Sequence, residues 1–225
     1  MLNKEECWQP ELETMPREAL EKLQVEKLRR SIGVALDSPF YGKRLGEIGI
    51  TPESIHPPAD IRKTPFTTKQ DLRDNYPFVL VGGNMKDAIR IHSTNGTTGH
   101  PTVVTYSRHD IDSWANMIAR DMYMVGCRDT DVFQNSSGHG MFAGGLGFQY
   151  GAEKLGATTV PAAAGNSKRQ VMFIRDFGKT CTQDEDERTT LDEDETETWD
   201  EDETEFRTKM KRKLRTKMKQ SSRRR

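Results

Sequence analysis

Leu20, Leu23, Leu28, Ile32 and Ala35 recur at roughly helical spacing behind Pro16 and predict a helix from there to about Asp37. Asp37-Ser38-Pro39-Phe40-Tyr41 stops it, and the glycines and prolines between residues 46 and 65 predict a covering loop with short turns. Thr68-Lys69-Gln70-Asp71 resembles a capping box with Asp in place of Glu and starts a short helix toward Tyr76. After Gly82-Gly83-Asn84 the period changes. Asp87 to His92 alternates and reads as a strand, and Thr102 to Tyr106 is a second extended run. Ser107 with Asp110 opens a long helix whose apolar face is Ile111, Trp114, Ile118, Met122 and Val125. Asp131 to Gln134 is a strand, Gly138 to Gly147 a glycine-rich loop, Phe148 to Leu155 a helix and Thr158 to Pro161 a strand. Ser167 caps a last helix carrying Val171, Ile174 and Phe177. Strands alternating with helices predict an α/β fold with a mixed sheet, some pairing parallel, and flanking helices.

Composition changes this picture at one end. Cys181 to Arg225 hold 14 acidic and 12 basic side chains and almost no aliphatic ones, leaving 21 acids and 22 bases over residues 1–180. The nearly neutral body, residues 1–180, is long enough to bury a core. Residues 181–225 form a low-complexity tail, acidic from Asp184 to Glu205 and basic from Phe206 onward, and are expected to stay solvated and disordered. Arg-Thr-Lys-Met-Lys occurs twice in the basic block, at 207–211 and 215–219. An alternating Asp/Glu repeat yields that pentapeptide in a shifted reading frame, so the block reads as a frame-shifted acidic repeat. Without interleaved aromatics, and beside an acidic competitor, it is a poor nucleic-acid ligand.

No apolar run approaches the ~20 residues that span a bilayer. The acids at Glu5 and Glu6 stand where a signal peptide would be basic and then apolar. Cys7, Cys127 and Cys181 are odd in number and widely separated, which fits neither a disulfide framework nor a zinc ribbon, and the expected setting is the reducing cytoplasm. Cys127 reads as a packing residue, and His92, His109 and His139 as ordinary polar histidines without a second metal ligand at useful spacing.

Chemistry concentrates in Ser93-Thr94-Asn95-Gly96-Thr97-Thr98-Gly99-His100-Pro101-Thr102. Its glycines let backbone approach a ligand, and its hydroxyls and clustered N–H groups suit phosphate oxygens. It is not a Walker A loop, because no Gly-Lys-Ser/Thr follows and the next element is a strand. Composition alone reads it equally well as a polar hairpin loop, since Asn95-Gly96 is a hairpin-turn signal.

The stretch resembles the Ser/Thr/Gly-rich phosphate loop of the adenylate-forming superfamily, the acyl- and aryl-CoA synthetases. Cys7 to Glu11, Ser38 to Tyr41, Pro65 to Leu72, Thr102 to Val104 and Gly144 to Ala157 narrow the resemblance to the phenylacetate–CoA ligases. It runs from about Cys7 to Gly178. The resemblance implies a two-step reaction: a carboxylate attacks the α-phosphate of ATP with Mg2+ present, and coenzyme A then displaces AMP from the acyl-adenylate. It implies that Ser93, Thr94, Asn95, Gly96, Thr97, Thr98, Gly99 and Thr102 hold the phosphates. Asn95 stands where Ser is common and His100 where Lys is frequent. Asn135 to Gly145 is implied to line the aryl-acid pocket, with Ser137 and Phe142 as substrate-binding residues. Ser137 and His139 stand where some relatives carry aromatics, which makes the ring end more polar. From the residues alone, Phe142 reads as a core side chain.

Three features of the resembled ligases are missing from this sequence: the aromatic-Gly-x-Thr-Glu motif, the ribose-binding Asp and the C-terminal domain with its catalytic Lys. The expectation is therefore a truncated N-terminal part with no catalytic residue and no protein metal ligand of its own, inactive alone and with doubtful CoA binding. The alternative is a noncatalytic nucleotide-binding fragment, or frame-shifted product, whose charged tail binds a partner. The sequence leaves open the particular aryl acid and the oligomeric state.

Overall fold

The computed structural model describes residues 7–94, 101–140, 143–177 and 181–183. The central part of the Ser/Thr/Gly loop, Phe142 and the charged tail from residue 184 lie outside the described residues. The chain divides into two compact units, one built on Gln9–Ser113 and the other on Trp8, Trp114–Gly140 and the chain from Gly144.

In the first unit, Gln9 precedes a one-turn helix, α1 (Pro10–Glu13), and its N–H donates to Glu13 Oε1 at 2.7 Å. The expected long helix forms as α2 (Arg17–Leu36), with Pro16 as its cap. The pentapeptide that ends α2 also starts another helix, α3 (Pro39–Glu47). Ser38 is the pivot: its Oγ accepts from the Tyr41 N–H at 3.3 Å and donates to the Val79 carbonyl at 3.0 Å. Pro39 then sits in the first helical turn, where its missing N–H costs nothing. Ile32, Leu45, Ile50 and Ile55 form the core, with Val25, Leu28 and Leu36 packed against them. Arg29 holds the Ile55 carbonyl with Nε at 2.9 Å and Nη2 at 2.7 Å. The proline-rich loop contains 3-10 turns at Pro52–Ser54 and Pro58–Lys63. The capping box at Thr68 and Asp71 is present and opens α4 (Lys69–Asp74).

A two-stranded antiparallel hairpin follows, β1 (Ala88–Ser93) and β2 (Val103–Ser107). Ser93 pairs with Val103 and His92 with Val104. His92 is buried with its ring edge-on to Tyr106, centroids 5.4 Å apart. Ser107 and Asp110 make the expected reciprocal cap, with Ser107 N–H donating to Asp110 Oδ2 at 2.8 Å and Asp110 N–H to Ser107 Oγ at 3.2 Å. They open α5 (Arg108–Met124), whose first turns belong to this unit.

The second unit contains the rest of α5, then β3 (Val132–Asn135), α6 (Gly144–Leu155), β4 (Thr158–Pro161), α7 (Ser167–Asp176) and β5 (Cys181–Gln183). Its sheet is parallel with order β4-β3-β5, so β3 is central. Parallel and antiparallel pairing, expected in one mixed sheet, fall in separate sheets among the described residues. β5 begins just past the expected boundary at residue 180.

The core packs Ala119 and Met122 of α5 against Phe133, Ala152, Leu155 and Ala157, with Trp8 and Tyr123 at its margin. Trp8 Nε1 donates to Asn116 Oδ1 at 3.0 Å. α6 starts four residues earlier than the expected Phe148. The cause is packing: a side chain at Gly147 would run into Trp114, and one at Gly151 into Ile118. The glycines that weaken helix propensity are those that let α6 lie against α5. Asn166, with φ of 52°, caps α7 where Ser167 was expected to, its side chain accepting from the Arg169 N–H at 3.2 Å. Cys127 is buried in this core, as a packing residue should be, but it is disulfide-bonded, against the expectation that the cysteines form no disulfide framework.

Candidate functional site

The Ser/Thr/Gly stretch is the connection of the β1–β2 hairpin. Ser93 ends β1 opposite Val103. One step further on, Thr94 N–H donates to the Thr102 carbonyl at 3.0 Å, and Thr102 N–H donates to Thr94 Oγ1 at 3.1 Å. These bonds tie Thr94 to Thr102 one step beyond the paired strands. Asn95, Gly96, Thr97, Thr98 and Gly99 lie outside the described residues. The hairpin reading and the ligand-loop reading are compatible, since an antiparallel stem is what positions the loop.

The second candidate place is the C-terminal end of β3. Ligands of open parallel sheets collect beyond the carboxyl ends of the strands. Four consecutive polar residues, Gln134, Asn135, Ser136 and Ser137, are buried there. Asn135 uses both ends of its amide. Its Nδ2 donates to the Gly145 carbonyl at 2.6 Å and lies 3.2 Å from His139 Nε2, while its Oδ1 accepts from the Ser137 N–H at 3.1 Å. The sequence placed Gln134 only at the end of a strand and Asn135 only at the start of the segment implied to line the acid pocket, with no role for either amide. The available signal was two long amides at the end of a short apolar strand, where burial demands partners.

Ser137 is fully buried, and its Oγ has no hydrogen-bond partner; the same holds for Gln134 Oε1, although Gln134 Nε2 donates to Ser136 Oγ at 3.2 Å. Ser137 lies against the first turn of α6: a Cβ at Gly145 would sit 3.1 Å from Ser137 Cβ, 3.1 Å from His139 Cδ2 and 2.5 Å from the Gly138 carbonyl oxygen. The structure thus brings Ser137 and His139 together at the start of α6. Phe142 lies outside the described residues. Among the described residues no three His, Cys, Asp or Glu side chains cluster as a metal site, and no helix is long and apolar enough to cross a membrane.

The chain is 44% identical over 171 residues to the phenylacetate-coenzyme A ligase of Thermus thermophilus, a match covering 76% of this chain and 38% of that protein. The Escherichia coli ligase is 43% identical over 167 residues, covering 74% and 38%. A solved 2-hydroxyisobutyryl-CoA ligase, in complex with 2-HIB-AMP and CoA, superposes with a TM-score of 0.71 at 28% identity, over 81% of this chain and 40% of that one. The chain's fold matches the N-terminal part of an adenylate-forming CoA ligase. It spans 38% of the length of the curated ligases it matches. No protein-family model matches it.

Proposed function

We propose that this chain supplies the nucleotide-phosphate loop and part of the acid-binding wall of an AMP-forming ligase that joins phenylacetate, or a related aryl acid, to coenzyme A. The observation that carries the reading is the 44% identity over 171 residues to a phenylacetate-coenzyme A ligase. In the first half-reaction the acid's carboxylate oxygen attacks the α-phosphorus of ATP, pyrophosphate leaves, and an acyl-adenylate forms. In the second the CoA sulfur attacks the acyl carbon and AMP leaves. Donors fixed before the reaction stabilise charge as it develops, at no cost of reorganisation. On this chain those donors are the hydroxyls and N–H groups of residues 93–99 with Thr102, held on the closed hairpin stem. Mg2+, when bound with ATP, spreads phosphate charge. Ser137 and Phe142 belong to the acid's pocket, and the cytoplasm is the setting that suits ATP and CoA.

A chimera tests this: residues 7–177 replace the matching segment of the Thermus thermophilus ligase. The expected result is phenylacetate-dependent formation of acyl-CoA and AMP, lost in a Thr97→Ala, Thr98→Ala double variant. A folded chimera that makes no acyl-CoA rejects the reading. The chain alone, spanning 38% of the relative, is expected to release no pyrophosphate from ATP. Saturable ATP binding by the chain without turnover in the chimera favours the second reading, a noncatalytic nucleotide-binding fragment.

A further inference from the structure

The two helices that follow strands of the parallel sheet are covered unequally. α6 sets five residues into the core, Ala152 and Leu155 among them. In α7 no residue from Lys168 to Asp176 is buried. Yet Val171, Met172, Phe173 and Ile174 stand there in succession, and Phe177 ends the helix. Phe173 and Phe177 stack with centroids 5.2 Å apart and planes 17° off parallel, while Phe177 is 49% and Met172 41% exposed. Consecutive apolar side chains point all round a helix, and such a helix is normally buried on more than one side.

The sheet is open beside it. With the order β4-β3-β5, β5 is an end strand, and among the described residues it is bonded to β3 alone. The chain steps from β3 to β4 in one direction and from β4 across to β5 in the other. Right-handed crossovers therefore put α6 and α7 on opposite faces. The α6 face is closed by α5, through Ala119 and Met122. On the other face α7 keeps its aromatic pair in contact with water.

An unpaired strand edge beside exposed apolar surface is a template for pairing with another chain. The two features call for one kind of partner. A strand that extends a parallel sheet is joined to it by a crossover of a dozen or more residues, usually a helix. Added beyond β5, such a strand would take the edge, and its helix would lie beside α7 over Phe173 and Phe177. The match to the Thermus thermophilus ligase covers 76% of this chain and 38% of that protein. The larger part of such a ligase therefore lies outside the matched segment.

We infer that α7 from Met172 onward and the outer edge of β5 form a docking surface for that larger part, supplied as a separate polypeptide. The partner's identity rests on the ligase reading, whereas the surface rests on α7 and β5.

The test co-expresses the full 225-residue chain with a tagged polypeptide holding the part of the Thermus thermophilus ligase outside the match. Capture on the tag followed by sedimentation should find a one-to-one complex. Hydrogen exchange should be slower in that complex than in the chain alone at the amides of residues 172–177 and 181–183. Phe177→Glu, at an exposed position where folding is not at stake, should weaken the complex roughly tenfold or more, as loss of a central aromatic anchor does. Met117→Glu, at a 54% exposed position on α5, should leave it intact. Absence of a complex, unchanged exchange at those amides, or equal effects of the two variants overturns the inference. So does a chain that dimerises by itself with the same protection and turns monomeric in Phe177→Glu, which assigns the surface to a second copy. A chimera that makes acyl-CoA while the separate chains stay apart rejects the docking surface and keeps the ligase reading. A complex sensitive to Phe177→Glu, with no acyl-CoA from it or from the chimera, upholds the surface and rejects the ligase reading.

Discussion

Asn135 Nδ2 and the Gly145 carbonyl oxygen meet at 2.6 Å, tying the end of the central strand to the first turn of the helix that follows it. The same amide holds the Ser137 N–H and faces His139, so one buried side chain orders the strand-to-helix passage. Asn135→Ala leaves the Ser137 N–H without its acceptor in a buried setting. Each orphaned group costs about 1–3 kcal/mol, and the urea midpoint should fall with little change in slope. An unchanged midpoint would show that water replaces the amide without loss.

Gly145 is a steric requirement of the same passage. An added Cβ would lie 2.5 Å from the Gly138 carbonyl oxygen, which is backbone and cannot swing aside. Gly145→Ala should therefore cost about 1–3 kcal/mol, the range for overpacking, whereas Gly138→Ala, where a Cβ would meet nothing within 4 Å, should cost less. Comparing the two melts separates crowding from a general intolerance of side chains in this segment.

The capping box of α4 makes the stability of the first unit sensitive to acid. The Thr68 N–H and Oγ1 both donate to Asp71 Oδ2, at 2.7 and 2.8 Å, and Arg44 stands 3.4 Å away. The Thr68 backbone bond, then its hydroxyl, then Arg44 hold the Asp71 carboxyl below its ordinary 3.8. Because the folded value is the lower one, the stabilisation is present above the unfolded pKa and is lost as pH falls through the folded value. Asp71→Asn should remove that part of the acid sensitivity below pH 4. Thr68→Ala should cost about 1 kcal/mol at neutral pH through the lost cap. Parallel acid titration curves for parent and Asp71→Asn would refute the assignment.

Local signals that need only a few neighbouring residues were legible in the sequence. The boxes at Thr68–Asp71 and Ser107–Asp110 formed as read, because their partners are three residues apart. The alternation of β1 and β2 was equally local. What failed depended on distant packing. The early start of α6 is dictated by Trp114 and Ile118, some thirty residues upstream, and α3 was hidden because Ser38 takes part of its support from Val79. At the candidate site, Ser137 was legible only through the resemblance. The roles of Asn135 and Gln134 needed the fold, since a polar side chain announces neither its burial nor its partners.

The last prediction concerns the hairpin loop. Its stem is closed by the paired bonds between Thr94 and Thr102. If the run of glycines and hydroxyls holds phosphate oxygens, the chain should bind ATP or pyrophosphate, and weakly, because it spans only 38% of the length of the ligases it matches. The affinity should fall with added salt, because the ligand is a polyanion and screening shortens the reach of charge. Salt alone does not locate the site, because the 11 Lys and Arg side chains of the basic block, residues 206–225, would give the same dependence. Gly96→Val separates them. A branched side chain at 96 fills space that backbone and phosphate would share, while the tail keeps all its charge, so calorimetric titration should find binding lost. Thr102→Val, which keeps its N–H bond to Thr94 and its shape but removes one hydroxyl, should weaken binding only a few-fold. Equal affinity in the parent chain and Gly96→Val would place the nucleotide on the basic tail and remove the loop from the phosphate site.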